Sequence, residues 1–238
     1  ERSAVSQDAP AVLADEFTRG STYTEPRTVT LDTKFAGVPA IDIWTGYAVM
    51  LVSKTGERRV EIGPKTILLS YDETLEALQM STGTPKSTDE LVRTVYLRVK
   101  NNQVSDLVYA ETSDHVMVSI WLSLRVNFES TPEQWFEVEN YVKTLTDHVR
   151  SLLKSHVRRV PIEEFYARSE DFIRDVILGT KSDDGARPGR LFPENGMRIT
   201  DAEVLQVQVG DERIAGLLAE AQRSAVESNI ELGKAEKE

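Results

Sequence analysis

Residues 115–128, His-Val-Met-Val-Ser-Ile-Trp-Leu-Ser-Leu-Arg-Val-Asn-Phe, form an alternating pattern that decides the fold. Every second residue from Val116 to Phe128 is apolar, and successive side chains of a strand point to opposite faces, so these apolar residues share one face. The other face carries Met117, Ser119, Trp121, Ser123, Arg125 and Asn127. The pattern therefore predicts a long strand that is buried on one side only.

Two amphipathic helices are predicted after this strand. Thr131 is placed to cap the first helix, Pro132 lies at its first position, and Gln134 completes a capping-box spacing. Apolar residues then recur three and four positions apart, which is typical of a helix seam facing a core: Val138, Val142, Leu145, Val149 and Leu152. Pro161 ends this helix and can begin the next, which Gly179 stops. The apolar stripe of the second helix is Ile162, Phe165, Tyr166, Ile173 and Val176.

Short β-rich runs before the long strand predict an antiparallel β repeat module over residues 27–80. The runs are 28–32, 41–52, 58–62 and 65–71. Lys54–Glu57 is predicted to be a hairpin turn in which Gly56 supplies a positive φ. Residues 1–26 are expected to form an irregular arm. The polar stretch within residues 72–92 is the candidate domain boundary, although a long surface loop inside one domain fits the same composition.

A second domain is predicted over residues 90–210. Its strands are predicted at 92–99 and 104–111, at the long strand, and at 203–209 with Leu205, Val207 and Val209 on one face. Asp211 can cap a last amphipathic helix over 211–238. Its heptad-spaced seam consists of Ile214, Leu218, Ala221, Ala225 and Leu232, with Ser228 at one seam position. The fold class is α+β.

Composition limits the possible functions of the 238 residues. The net charge of −11 argues against direct binding of nucleic acid, because attraction to phosphates requires a basic surface. The absence of cysteine excludes disulfides, thiolate metal sites and cysteine nucleophiles, and it fits a reducing compartment. No run of about 18 apolar residues is present, so no span of a membrane is predicted. The chain begins at Glu1 without a methionine and ends in a helical pattern, so we expect a piece of a longer protein.

No catalytic, cofactor or metal site is predicted. His148 and His156 are eight residues apart, whereas a helical metal site favours a spacing of four with a carboxylate nearby. The Asp183-Asp184-Gly185 stretch lacks the alternating acids of a calcium loop, and it is interpreted as a turn. Gly63-Pro64-Lys65-Thr66 lacks the spacing of a phosphate-binding loop. The many helical carboxylates are interpreted as solvated faces.

Two features indicate a possible contact surface. Lys143, Arg150, Lys154 and Arg158 form a basic strip on the first long helix, which could bind an acidic partner, a neighbouring subunit or lipid phosphates. An ordinary polar helix face would show the same pattern. Trp121 and Met117 lie on the polar side of the long strand, where a partner or a local element of this chain would cover them.

The order of strands and helices resembles the SPFH or band-7 domain of stomatins, prohibitins and flotillins, and most of all the major vault protein family. Residues 42–47 with 63–75 resemble the end of a vault body repeat, and 135–142 with 145–148 resemble the first shoulder helix. Residues 195–199 with 203–209 resemble the last shoulder strand, which leads into the cap helix. The resemblance covers roughly 28–238. Vault proteins carry many body repeats before the shoulder, whereas one convincing repeat is found here, so we expect either an excerpt or a smaller relative.

The resemblance implies a structural, non-enzymatic subunit of a cytoplasmic ring or shell. Copies would pack laterally, and the last helices would associate, using the basic strip, Trp121 and the seam residues as the assembly surface. A flotillin- or stomatin-like membrane scaffold that binds lipid is the alternative. An enzyme is the third possibility, and it would need a deep pocket with convergent polar groups.

Overall fold

The long alternating strand is the centre of a four-stranded antiparallel sheet in a computed structural model that describes Arg27, Thr28 and residues 39–235. The strand order is β10 (Asn102–Glu111), β11 (Met117–Phe128), β13 (Met197–Val209) and β12 (Arg190–Phe192). The apolar face predicted for residues 115–128 is buried from Val116 to Phe128. The prediction of a half-buried strand is confirmed.

Strand β13 differs from its predicted pattern because it contains two β-bulges. Its pairing with β11 shifts register between Trp121 and Leu122 and again between Arg125 and Val126. Each bulge adds one residue and reverses the phase of the alternation. Leu205, predicted to share a face with Val207 and Val209, lies at one bulge and is 45% exposed. The residues that pair opposite the buried side chains of β11 are instead Met197, Ile199, Ala202, Val204, Val207 and Val209.

Three helices cover the buried face of this sheet: α1 (Tyr141–Val157), α2 (Ile162–Ala167) and α3 (Ser169–Leu178). The second predicted helix is thus divided at Arg168, and Gly179 ends α3 as predicted. The predicted start of the first helix is wrong. Pro132–Phe136 forms a short 3-10 helix without a side-chain cap from Thr131, and Asn140 caps α1 by accepting a 3.1 Å hydrogen bond from the Lys143 amide.

The buried seam of α1 also departs from the prediction near its end. Val142, Leu145 and Val149 are fully buried, as expected, but the seam continues through Leu153 and Val157, which are both buried. Leu152 is only partly buried. These α1 side chains share one core with the inward residues of β10, β11 and β13 and with Phe165 of α2 and Ile173 of α3.

The β-rich first half consists of short strands in small antiparallel sheets. In chain order they are β1 (Arg27–Thr28), β2 (Pro39–Ile43), β3 (Tyr47–Ser53), β4 (Arg58–Ile62), β5 (Lys65–Leu68), β6 (Glu73–Leu75), β7 (Leu78–Ser81), β8 (Leu91–Thr94) and β9 (Leu97–Arg98). The predicted run 41–52 is two strands in different sheets, because the chain turns at Gly46, where φ is 82°. Gly56 has φ of 89° in the β3–β4 hairpin, which confirms the predicted turn.

The predicted connector 72–92 contains β6, β7 and the start of β8, and it packs against the larger sheet. Met50, Leu78 and Leu97 belong to the same buried cluster as Leu122. The predicted domain boundary itself stays a prediction. Residues 1–26 and 29–32 and the last three residues of the predicted C-terminal helix lie outside the described residues.

The last helix, α4 (Glu212–Ala235), begins where it was predicted to begin. One carboxylate oxygen of Asp211 accepts hydrogen bonds from the amides of Arg213 at 2.9 Å and Ile214 at 3.1 Å. An acceptor at this position satisfies amides that have no partner within the helix.

Candidate assembly surface

The predicted basic strip of α1 divides into residues used within the chain and residues at the surface. Lys143 contacts Asp147 of its own helix at 2.5 Å. Lys154 is exposed, and Arg158 is exposed while it reaches Glu111 at 3.3 Å. An assembly role for these three residues stays a prediction.

Arg150 points inward. Its guanidinium donates hydrogen bonds of 2.7 and 2.6 Å to the two carboxylate oxygens of Asp106, whose side chain is 1% exposed. It also donates to the Lys86 carbonyl at 2.9 Å, and the Lys86 amide donates to Asp106 at 3.0 Å. Arg150 therefore joins α1, β10 and the segment between β7 and β8 as an internal ion pair. It is not part of the outer surface that the helical spacing indicated.

The exposed members of the strip, Lys154 and Arg158, line a groove at the end of α1. Its volume is about 560 Å3, and its lining includes Tyr109, Met117, Lys154, Arg158 and Arg159. Tyr109 and Met117 are each 50% exposed. The sequence pattern pointed to Met117 but not to Tyr109 or Arg159. Tyr109 could have been found from its position on the face of β10 opposite Val108 and Ala110, and Arg159 from its place beside Arg158.

Trp121 lies in the middle of β11, on the outer face of the sheet. Its cross-strand partners are Leu107 on β10 and Gln206 on β13, and its side chain is partly buried. A role for Trp121 in assembly stays a prediction.

The predicted seam of α4 is partly buried at the start of the helix and exposed further along it. Ile214 and Leu218 are partly buried and pack against the core of the larger sheet. Ala221 and Ala225 are exposed, as are all side chains from Ala219 to Ser228. The larger exposed apolar residues Leu217, Val226 and Ile230 lie outside the predicted seam positions.

The tight turn between β10 and β11 lies next to the groove, because Glu111 and Met117 on its two sides line the groove. The turn is also held to the start of α2. Both carboxylate oxygens of Asp114 accept a hydrogen bond from the Ile162 amide at 3.1 Å, and one also accepts from the Thr112 hydroxyl. Partial burial raises the pKa of Asp114, but the hydrogen bonds from Thr112 and Ile162 outweigh it and hold the pKa below its usual range. The hydrogen bond from His115 similarly lowers the pKa of Glu111.

Replacing Asp114 with alanine is expected to lower the free energy of unfolding by about 0.5–1 kcal/mol, because the first turn of α2 loses its acceptor. The lowered pKa means that the stabilisation is present above about pH 4 and is lost as the pH falls through the pKa of the folded state. Thermal unfolding from pH 7 to pH 3 measures the difference from the unaltered protein. Ser113→Ala, in the same turn, is the control. A difference that does not shrink below pH 4 would contradict the capping role.

Among the residues that the structure describes, no group of three or more His, Asp or Glu side chains could hold a metal ion. None of the helices described is both long and apolar enough to cross a membrane.

A known protein family matches the part of the chain that forms the four-stranded sheet and its helices. Residues 100–211 match the shoulder domain family. The match extends from β10 to Asp211, the residue that caps α4, and so includes the whole four-stranded sheet with α1, α2 and α3.

Curated relatives extend this similarity into the β-rich half. The chain is 28% identical to major vault protein beta of Dictyostelium discoideum over 174 residues, which is 72% of this chain and 20% of the relative. It is 27% identical to the major vault protein of Diplobatis ommata over 176 residues, 71% of this chain and 20% of the relative. For the major vault protein of Bos taurus the identity is 25% over 186 residues, 71% of this chain and 21% of the relative.

The shoulder-domain match supports the vault-like part of the resemblance seen in the sequence. The chain spans about a fifth of the length of the curated relatives it matches. The wider likeness to band-7 domains rests on the order of strands and helices, and it stays a prediction.

Proposed function

We propose that this chain is the shoulder region of a structural, non-enzymatic subunit that assembles with copies of itself into a large ring or shell, as in a vault particle. The shoulder-domain match over 100–211 and the similarity to major vault proteins support this proposal. We also propose that the four-stranded sheet and its helices have a band-7-like fold. The cytoplasm is the expected location, since the cysteine-free composition fits a reducing compartment.

The observation that carries the proposal is the exposure of α4. After Leu218, which packs against the core, ten consecutive side chains from Ala219 to Ser228 are exposed. Single helices are marginal in water and gain most of their stability from packing of an apolar face. A helix that extends beyond its own core is therefore suited to packing against the same helix of another copy.

The small side chains at the seam favour many copies. Ala221 and Ala225 allow helices to approach closely, but alanine buries little apolar area, so one helix pair would gain little free energy. Side-by-side packing of many copies adds these small contributions. Because the first part of the seam, Ile214 and Leu218, already packs within the chain, the association would begin at Ala221.

Substitution of Ala221 by glutamate tests this proposal. Ala221 is exposed in one copy, so the change leaves the fold intact but places a buried charge in the association seam, where an unpaired charge is costly. We expect the A221E variant to associate at least about tenfold more weakly than the unaltered chain in sedimentation velocity, since 1.4 kcal/mol already corresponds to tenfold.

The matched control is A219E, which adds the same charge to the same helix at an exposed position outside the seam. Equal association of A221E and A219E would contradict a role for the seam. A chain that stays monomeric at high concentration would overturn the proposed assembly. Flotation with lipid vesicles tests the flotillin- or stomatin-like alternative, and strong vesicle binding by this chain would favour that alternative over the shell.

A further inference from the structure

The groove at the end of α1 combines exposed apolar side chains with positive charge. Tyr109 and Met117 provide the apolar part, and Lys154, Arg158 and Arg159 provide the cations. Lys154 and Arg159 are exposed, and Arg158 pairs with Glu111, the one acid of the lining, which also contacts His115. Residues 141–160 contain five Lys and Arg residues and one acid, in a chain with a net charge of −11. The groove is thus a basic site on an acidic protein.

The groove lies at one edge of the four-stranded sheet. Strand β10, which contributes Tyr109, is at one edge of the four-stranded sheet, and α1 packs against it. At the opposite edge lies β12, with α3 packed over the neighbouring strand β13. The two edges therefore face opposite sides of the domain.

An acidic turn projects beside the β12 edge. Residues 180–186, between α3 and β12, are all exposed and include the adjacent acids Asp183 and Asp184, while the cation of the segment, Lys181, lies 3.7 Å from Asp171 of α3. The turn is closed by hydrogen bonds from the Ser182 amide to the Ala186 carbonyl and from the Gly185 amide to the Ser182 carbonyl, each 2.8 Å long. At its base Arg187 donates a 2.8 Å hydrogen bond to Asp175 of α3. Asp183 and Asp184 therefore lie on a turn whose conformation is stabilised by hydrogen bonds within the chain.

We propose that the groove lined by Lys154, Arg158 and Arg159 binds the Asp183–Asp184 turn of a second copy of this chain. The carboxylates of the turn would pair with these cations, and Ala186 would contact Tyr109 and Met117. This inference rests on the proposed function, because it specifies how neighbouring copies of the assembly meet. Electrostatic complementarity of this kind fixes orientation and excludes like-charged arrangements.

The arrangement of the two surfaces determines the kind of assembly. Because the groove and the turn are on opposite edges of the sheet, each copy can bind one neighbour with its groove and another with its turn. Such a head-to-tail contact uses two different surfaces, and repetition of it closes into a ring when the rotation between neighbours permits. A shell built from rings requires this geometry, whereas a symmetric pair of grooves would stop at a dimer.

Charge reversal on each side tests the contact. One variant carries Lys154→Glu and Arg159→Glu, and the other carries Asp183→Lys and Asp184→Lys; all four positions are exposed. We expect each variant alone to associate roughly 10- to 100-fold more weakly than the unaltered chain in sedimentation velocity, because like charges then meet. An equal mixture of the two variants is expected to recover association, since each reversed groove then meets a reversed turn.

Cross-linking identifies the neighbour directly. A carbodiimide joins Lys154 to a carboxylate in contact with it, and a mixture of 15N-labelled and unlabelled chains distinguishes links between copies from links within one copy. We expect mixed-isotope peptides that join Lys154 to Asp183 or Asp184. Lys143 and Asp147 provide the internal control, because their 2.5 Å contact within one helix gives links of a single isotope.

The outcomes separate this inference from the proposed function. Unchanged association of both charge variants, together with weaker association of A221E, would overturn the groove contact and leave the assembly standing. Mixed-isotope links from Lys154 to other carboxylates would overturn the assigned neighbour. A chain without any association overturns both proposals.

Discussion

Replacing Arg150 with alanine is expected to lower the free energy of unfolding by about 3–5 kcal/mol, because it leaves a buried carboxylate without its cation. Asp106 is 1% exposed and receives hydrogen bonds from Arg150 at 2.7 and 2.6 Å. The Lys86 amide provides one further donor at 3.0 Å, which cannot neutralise a full negative charge. The large expected effect is the cost of the unpaired charge, and it exceeds the net contribution of the intact pair.

Urea denaturation of the variant and the unaltered chain measures this loss. Lys154→Ala is the matched control, since Lys154 lies on the same helix one turn away but is exposed, so its effect should remain within about 0.5 kcal/mol. If Arg150→Ala and Lys154→Ala had equal effects, the interpretation of Arg150 as an internal ion pair would be wrong.

Replacing Leu122 with alanine is the second change with a large expected effect, about 2–5 kcal/mol in the free energy of unfolding. Leu122 is fully buried in the middle of β11, and its strand neighbours on the two sides are Asp106 and Val204. Truncation removes apolar contacts and leaves a cavity that a central strand, held by neighbours on both sides, closes poorly.

Leu205→Ala is the control that makes this test specific to the register of the sheet. Leu205 has the same side chain and lies on the adjacent strand, but the bulge places it at the surface with 45% exposure. We expect its truncation to cost no more than about 0.5 kcal/mol, as for most surface positions. A cost at Leu205 as large as that at Leu122 would show that the alternation of β13 continues without the bulge.

The contrast between Leu122 and Leu205 reflects what an alternating sequence pattern can and cannot predict. The strand at 117–128 was predictable because its alternation runs without interruption and one face of a half-buried strand must be apolar. The bulges in β13 were not predictable, because an extra residue changes the facing of side chains only through pairing with β11. Asn140 is itself a good N-cap residue, but the capping pattern at Thr131 came first along the chain and belongs to a 3-10 turn.

The candidate surface shows the same limit. Helical spacing correctly placed the basic residues along α1, but spacing alone does not reveal a partner from a distant part of the chain. Arg150 is separated from Asp106 by 44 residues and from Lys86 by 64 residues. Tyr109 and Lys154 come together only because the end of α1 lies beside the edge of β10.

The cap of α1 has a mechanical consequence. Asn140 donates to the Ser81 hydroxyl at 2.9 Å and accepts from the Ser81 amide at 3.2 Å, while the same side-chain oxygen accepts from Lys143. One side chain therefore clamps the last residue of β7 to the first turn of the longest helix over the sheet. Any tilt of the β-rich half relative to this helix would have to break the clamp and uncap the helix together. Movement of β7 relative to the first turn of α1 is therefore coupled to the capping of that helix.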